Sequence, residues 1–283
     1  MNTVKLRPLL EQFFIEDIGD GDVTSDTLFG SSSTGEVQFT AKGNGVFCGQ
    51  SIVLEGYQII DPSVEVTIHC QDGERIHEGQ TLATARGNMG ALLKGERVIL
   101  NLIQRMSGIA TLTTLAVDTL NSPHTRICDT RKTTPGLRML EKYAVRTGGG
   151  FNHRNGLYDA VMIKDNHIAF AGSITEAVKQ IRQQLGHMIK IEVEAETEAQ
   201  VREAIEAQVD CIMLDNQTPE SVKDLQGIIP PSITTEASGG ITLDNLATYR
   251  DTGVDYISLG CLTHSVSSLD ISVNAIIHKE ALA

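Results

Sequence analysis

The first apolar positions recur at a helical spacing, and Leu9 to Ile18 predicts a short helix running into the acidic turn segment GDGDVTSD. Residues 35–86 then alternate with period two, so GEVQFTAKG, VEVTIHC and QTLATARG predict short strands bounded by Gly and Asp. DGERIHEGQ, between two of them, has the look of the turn of a lipoyl-type half barrel, but no Lys stands where a cofactor would be attached. From 90 to 120 the period lengthens. Leu92, Leu93, Val98, Ile99, Leu102, Ile103 and Met106 form an apolar stripe with Glu96, Arg97, Asn101 and Arg105 between them. SGIAT breaks that stripe around Gly108, which places a domain boundary there, between 106 and 107.

Beyond the boundary, short apolar runs recur: Ile127–Cys128, Ala160–Ile163, Ile189–Val193, Cys211–Leu214, Ile233–Thr235 and Tyr256–Leu259. Stretches long enough for a helix separate most of them, such as SITEAVKQIRQQLG and TEAQVREAIEAQ. This is βα repetition, and it implies a parallel sheet. Six units without a GxGxxG opening predict an incomplete α/β barrel rather than an open doubly wound sheet.

What ends each run carries the chemistry. The first leads to Asp129, Thr130, Arg131 and Lys132, and the second to Lys164 and Asp165. The third carries Glu192 and Glu194, and the fourth ends in Asp215 and Asn216. The fifth ends in Glu236, Ala237, Ser238, Gly239 and Gly240, and the sixth in Gly260, then Thr263 and His264. Barrels of this kind place their active sites at the carboxyl ends of the strands. The SGGI turn feeding TLDNL can bring backbone N–H groups against a phosphate. Glu194 and Asp215 are the natural metal or ribose partners, since a hard cation such as Mg²⁺ takes a few carboxylates plus substrate phosphates. The bland alternative is that each acid faces inward and pairs with Lys132 or Lys164.

Composition sharpens this picture. The 283 residues carry 23 Lys+Arg against 36 Asp+Glu, a net charge of −13 that argues against binding phosphate backbones. Aromatics make up 4% and Trp is absent, which leaves no stacking platform for single strands. No uncharged apolar stretch approaches a membrane span, and the N-terminus turns acidic too soon for a signal peptide. Five cysteines without a C-x-x-C pair predict buried thiols in a reducing cytosol, and GDGDVTSD lacks the Glu an EF-hand loop requires. Against the acidic background, Arg131, Lys132, Arg138, Lys142, Arg146, Arg154 and Lys164 are opposed between 131 and 164 only by Glu141 and Asp159. Seven cations less two acids leave a local excess of five, which predicts either a pocket for small anions or a salt-bridged surface.

The segments EDIGDGDVTS, KGERVILNLIQRMSGIAT, DTRKTTPGLRMLEKYAVRTGGGFNHRNGLYDAVMIKDNHI, KIEVEAE, IMLDN, EASGGI and TGVDYISLGCLTHSVSSLDIS resemble the quinolinate phosphoribosyltransferase family over nearly the whole chain. The resemblance implies an N-terminal α/β sandwich domain, 1–106, and an α/β barrel phosphoribosyltransferase domain, 107–283, whose C-terminal tail could pack on the N-terminal domain. It implies decarboxylating phosphoribosyl transfer from 5-phosphoribosyl 1-pyrophosphate to quinolinate with Mg²⁺, in NAD biosynthesis. It also implies a cytoplasmic homodimer, binding neither nucleic acid nor membrane. Carried over by position, Arg131, His153, Arg154 and Lys164 would hold the quinolinate carboxylates, with Thr130 beside them and Arg97 reaching in from the partner. Lys132, Glu194 and Asp215 would be the catalytic group around the phosphoribosyl substrate and its metal, and Ser238, Gly239, Gly240, Gly260 and His264 would hold the 5′-phosphate. AETEAQ after Glu194 and Cys261 depart from the family pattern without touching an assigned residue. A paralogue with another acceptor, such as the molybdenum-associated type, and a silent phosphosugar-binding protein are the rival readings.

Overall fold

The computed structural model describes residues 1–30 and 32–276. It divides into two compact units, Met1–Leu112 with the chain from Val266 onward, and Thr113–Ser265.

The first unit begins with α1 (Thr3–Ile18), which starts earlier than the pattern predicts. The Asn2 side chain caps it by accepting from the Val4 N–H, and Leu6, Leu10 and Phe14 bury one face, so the helix tolerates Pro8. The acidic turn serves as a cap: Asp22 accepts from the Thr24 and Ser25 N–H groups at the start of α2 (Ser25–Leu28). There follow β1 (Thr34–Ala41), β2 (Gly45–Val46), α3 (Gln50–Ile60), β3 (Glu65–Ile68), β4 (Arg75–Ile76), β5 (Thr81–Asn88) and the long α4 (Met89–Leu120).

Helix α4 is continuous through Gly108, where the sequence predicts a break. The loss of apolar pattern in SGIAT is a polar docking face. Ser107 and Thr111 accept the Cys48 and Val46 backbone N–H groups, and a Cβ on Gly108 would lie 2.2 Å from the Ser267 carbonyl oxygen. By length and hydropathy α4 would also pass for a membrane span, but 61% of its most apolar window is buried inside the protein, as in a core helix.

The second unit alternates strands and helices: β6 (Arg126–Cys128), α5 (Arg138–Thr147), β7 (Val161–Ile163), α6 (Asp165–Ala171), α7 (Ile174–Gln184), β8 (Ile191–Ala195), α8 (Glu198–Glu206), β9 (Cys211–Asp215), α9 (Pro219–Gln226), β10 (Thr234–Ser238), α10 (Leu243–Leu246), β11 (Tyr256–Ser258) and α11 (Cys261–His264). The six strands pair in parallel in the order β6-β11-β10-β9-β8-β7. They are buried by helices, which is why they read as apolar runs. Among the described residues β6 and β7 do not pair, and an isolated bridge joins Cys128 of β6 to Phe151 in the segment before β7, so the barrel is open between β6 and β7.

The chain then returns to the first unit as β12 (Ile271–Ile276), which pairs antiparallel with β1 to give a four-stranded sheet of order β12-β1-β5-β3. Phe39 of β1 meets Tyr57 of α3 edge to face at 6.3 Å in its core.

Candidate active site

A cavity of about 570 Å³ opens among the residues at the carboxyl ends of the barrel strands. Thr130, Arg131 and Lys132 enter it after β6, His153 and Arg154 before β7, and Lys164 after it. Glu194 comes from β8, Asp215 from β9, and Ser238, Gly239 and Gly240 from the end of β10. Eleven predicted residues are thus brought together by the register of the parallel strands.

Asp129 builds the cationic side. It is fully buried, receives Lys142 Nζ, and accepts from Asn152 Nδ2 at 2.5 Å and the His153 N–H at 2.9 Å. Burial pushes its carboxyl up, against the pull of Lys142. This one side chain ties the 129–132 loop to the 152–154 segment. It also separates the seven cations counted in the sequence. Lys142 is consumed by Asp129, Arg146 stacks on the Phe151 ring at 4.5 Å, and Arg138 bonds Thr133 Oγ1 and the Asn155 carbonyl. Four of the seven line the cavity: Arg131, Lys132, Arg154 and Lys164. Both predicted outcomes, anion pocket and structural ion pairs, are therefore present, divided among neighbours.

The cavity lacks anions to match its cations. Arg131 Nε is buried with no hydrogen-bond partner among the described residues. Burial first, and then the charge of Arg131, lowers the pKa of the Arg154 guanidinium. An anion received between them relieves both costs.

His153 is held differently. Its Nδ1 accepts the Arg154 N–H at 2.8 Å, and its Nε2 lies 2.9 Å from Glu192 Oε2 and 3.7 Å from Glu236 Oε2. Burial works against its charge, but the two carboxylates prevail and raise its pKa. His153, Glu192 and Glu236 present ligand atoms within 4.8 Å of one another, yet the His153–Glu192 hydrogen bond already fills that space.

Glu194 takes Lys164 Nζ at 2.9 and 3.2 Å, the pairing anticipated as its bland alternative. Burial and then the charge of Glu194 raise the carboxyl of Asp215, so two acids of the lining repel each other. Gly239 and Gly240 have φ of +80° and +66°, which glycine adopts freely, and a Cβ on Gly239 would lie 2.3 Å from Asn216 Oδ1. Gly260 and His264 are not among the lining residues, but a Cβ on Gly260 would lie 3.0 Å from both His264 Nε2 and Lys132 Cδ. Arg97 belongs to the first unit and is exposed on α4.

Models of quinolinate phosphoribosyl transferase domains match in order, the N-terminal domain over residues 22–107 and the C-terminal domain over 109–274. The chain belongs to the quinolinate phosphoribosyl transferase family. It is 56% identical over 282 residues to a Bacillus subtilis (strain 168) protein named probable nicotinate-nucleotide pyrophosphorylase [carboxylating], covering 100% of this chain and 97% of that one. It is 40% identical over 290 residues to the mitochondrial quinolinate phosphoribosyltransferase [decarboxylating] 2a of Nicotiana tabacum, covering 96% and 82%. The crystal structure of NadC from Streptococcus pyogenes superposes with a TM-score of 0.94 at 36% identity, covering 98% and 99%.

Every residue lining the cavity falls within the quinolinate phosphoribosyl transferase C-terminal match. Sequence reasoning left Glu236, Asn216, Ser258, Met162 and Met213 of that lining unassigned. The available signal for Glu236 was its period: it stands two residues before Ser238 and so shares its barrel-facing side.

Proposed function

We infer that the chain is a decarboxylating quinolinate phosphoribosyltransferase of NAD biosynthesis. It joins quinolinate to the phosphoribosyl group of 5-phosphoribosyl 1-pyrophosphate and yields nicotinate mononucleotide, pyrophosphate and CO₂. The observation that carries this is one cavity lined by under-compensated Arg131 and Arg154 together with Glu194, Asp215 and the Gly239–Gly240 turn.

Arg131, Arg154 and Lys164 receive the two carboxylates, and His153, whose ring nitrogens are spent inside the protein, sets the charge beneath them. Lys132 neutralises the departing pyrophosphate, and the turn after β10 offers backbone N–H groups to the 5′-phosphate. A carboxylate of the lining, Glu194 or Asp215, stabilises the positive charge that develops on the ribose carbon. Positioning two anions against each other supplies much of the remaining acceleration.

Glu194 and Asp215 suit Mg²⁺: they are hard oxygen donors, and burial with mutual repulsion raises the Asp215 carboxyl. When bound, Mg²⁺ supplies charge neutralisation at the pyrophosphate. The functional assembly is a homodimer in which Arg97 of the partner subunit completes the quinolinate site, a role its exposure on α4 supports. The five free cysteines suit a reducing cytosol.

The test is release of labelled CO₂ from carboxyl-labelled quinolinate, with and without 5-phosphoribosyl 1-pyrophosphate and Mg²⁺. Release that requires both, with nicotinate mononucleotide formed in step, is expected. No release from folded protein overturns the reading.

A further inference from the structure

Decarboxylation leaves an electron pair on a ring carbon, and a proton must reach it in a cavity whose Arg131, Lys132 and Arg154 are permanent cations and poor proton donors. The floor of that cavity holds an acid to which no role has been given. Glu236 is 4% exposed. Its Oε2 faces His153 Nε2 at 3.7 Å and Cys128 Sγ at 3.9 Å, and its Oε1 has no hydrogen-bond partner among the described residues. It sits two residues below Ser238 on the same side of β10, about 7 Å deeper in the barrel than the phosphate turn. That depth is where an acceptor ring beneath the ribose would lie.

Glu236 also borders a second cavity of about 330 Å³, toward the amino ends of the strands, where Lys190, Asp210 and Thr234 line it. The two cavities share His153, Arg154 and Glu236. The acid therefore stands in the wall between the substrate cavity and a separate space.

We propose that Glu236 delivers the proton that replaces the lost carboxylate, and that water in the second cavity reloads it. This rests on the transferase reading above. The bond between ring carbon and carboxylate breaks, CO₂ leaves without the electron pair, and the pair stays on carbon beside the quaternised ring nitrogen. That carbon takes the proton from Glu236, which becomes a carboxylate, and a solvent proton restores the acid. One solvent proton is consumed at carbon per turnover, and no oxidant or reductant is needed.

The surroundings suit the role. Glu192 faces Glu236 from β8, His153 from the 152–154 segment, Cys128 from β6, Cys211 from β9, and Ser258 and Tyr256 from β11. Burial, then the charge of Glu192, pushes the Glu236 carboxyl up to about 7, with His153 opposing. An acid poised near neutrality transfers and regains a proton readily.

The experiment compares pyrophosphate release with CO₂ release in single turnovers of the full chain. In Glu236→Gln, pyrophosphate release should stay within about 3-fold of the parent while CO₂ and nicotinate mononucleotide formation fall about 100-fold and quinolinate mononucleotide accumulates. Glu236→Asp, which keeps an acid, should recover part of the CO₂ step. In the unmodified protein, CO₂ released per pyrophosphate should fall as pH rises through about 7. That last measurement holds whether or not a variant folds. Equal loss of both products in Glu236→Gln, or a product ratio independent of pH, overturns the role of Glu236. Absence of pyrophosphate release from the parent overturns the transferase reading instead.

Discussion

Two lysines ten residues apart show how little residue type decides alone. Lys142 is buried against Asp129, whereas Lys132 lines the cavity beside Gly260 and His264. Lys132→Ala should therefore fold with an unchanged melting transition and lose about 100-fold or more in kcat/KM, as expected for removing one preorganised charge. An unchanged rate would remove Lys132 from the leaving-group role. Asp129→Asn should do the reverse first. It leaves the buried Lys142 ammonium facing a neutral amide, and the loss of a buried charged partner costs about 3–5 kcal/mol in denaturant unfolding. The sequence showed both lysines as cations after the first barrel strand, and only the tertiary position of Asp129 tells them apart. Glu192 and Glu236 were hard to read for the same reason. A buried acid is recognised by what faces it, and His153 comes from a segment 39 and 83 residues away.

At the scale of elements, the barrel was legible because parallel strands covered by helices need apolar residues on both faces, and a run such as CIML has few other uses. The strand ends were legible too, since polar residues cluster only where the sheet gives way to solvent. Helix α4 was read less well. A break in an apolar stripe and the end of a helix look alike in one dimension, and the hydroxyls of Ser107 and Thr111 turned out to satisfy neighbouring backbone N–H groups. Gly108→Ala tests that view. On an exposed helix the change would stabilise by about 1 kcal/mol. Here the new Cβ meets the Ser267 carbonyl at 2.2 Å, so a net loss of about 1–3 kcal/mol is expected by thermal or chemical unfolding. A gain in stability would mean that the 267–268 backbone yields easily.

At the scale of the whole molecule, a chain of −13 charge places Arg131, Lys132 and Arg154 together in one cavity, so the sign that matters to an anionic substrate is local. The first unit is discontinuous in sequence: β12, from residues 271–276, completes a sheet otherwise made of residues 34–88. A fragment of residues 1–112 should consequently leave the outer edge of β1 unpaired and associate through it, which size-exclusion chromatography would reveal as concentration-dependent oligomers. A monomeric, well-folded fragment would show that the edge is harmless. The order of the strands also sets a timetable. A ribosome completes the whole barrel before it makes the segment that seals the first sheet, an interval on the order of ten seconds. During that wait the nascent N-terminal sheet has an open edge, so its final closure is timed by translation, and early release of the chain would cost the first unit its last strand while leaving the barrel's code already read.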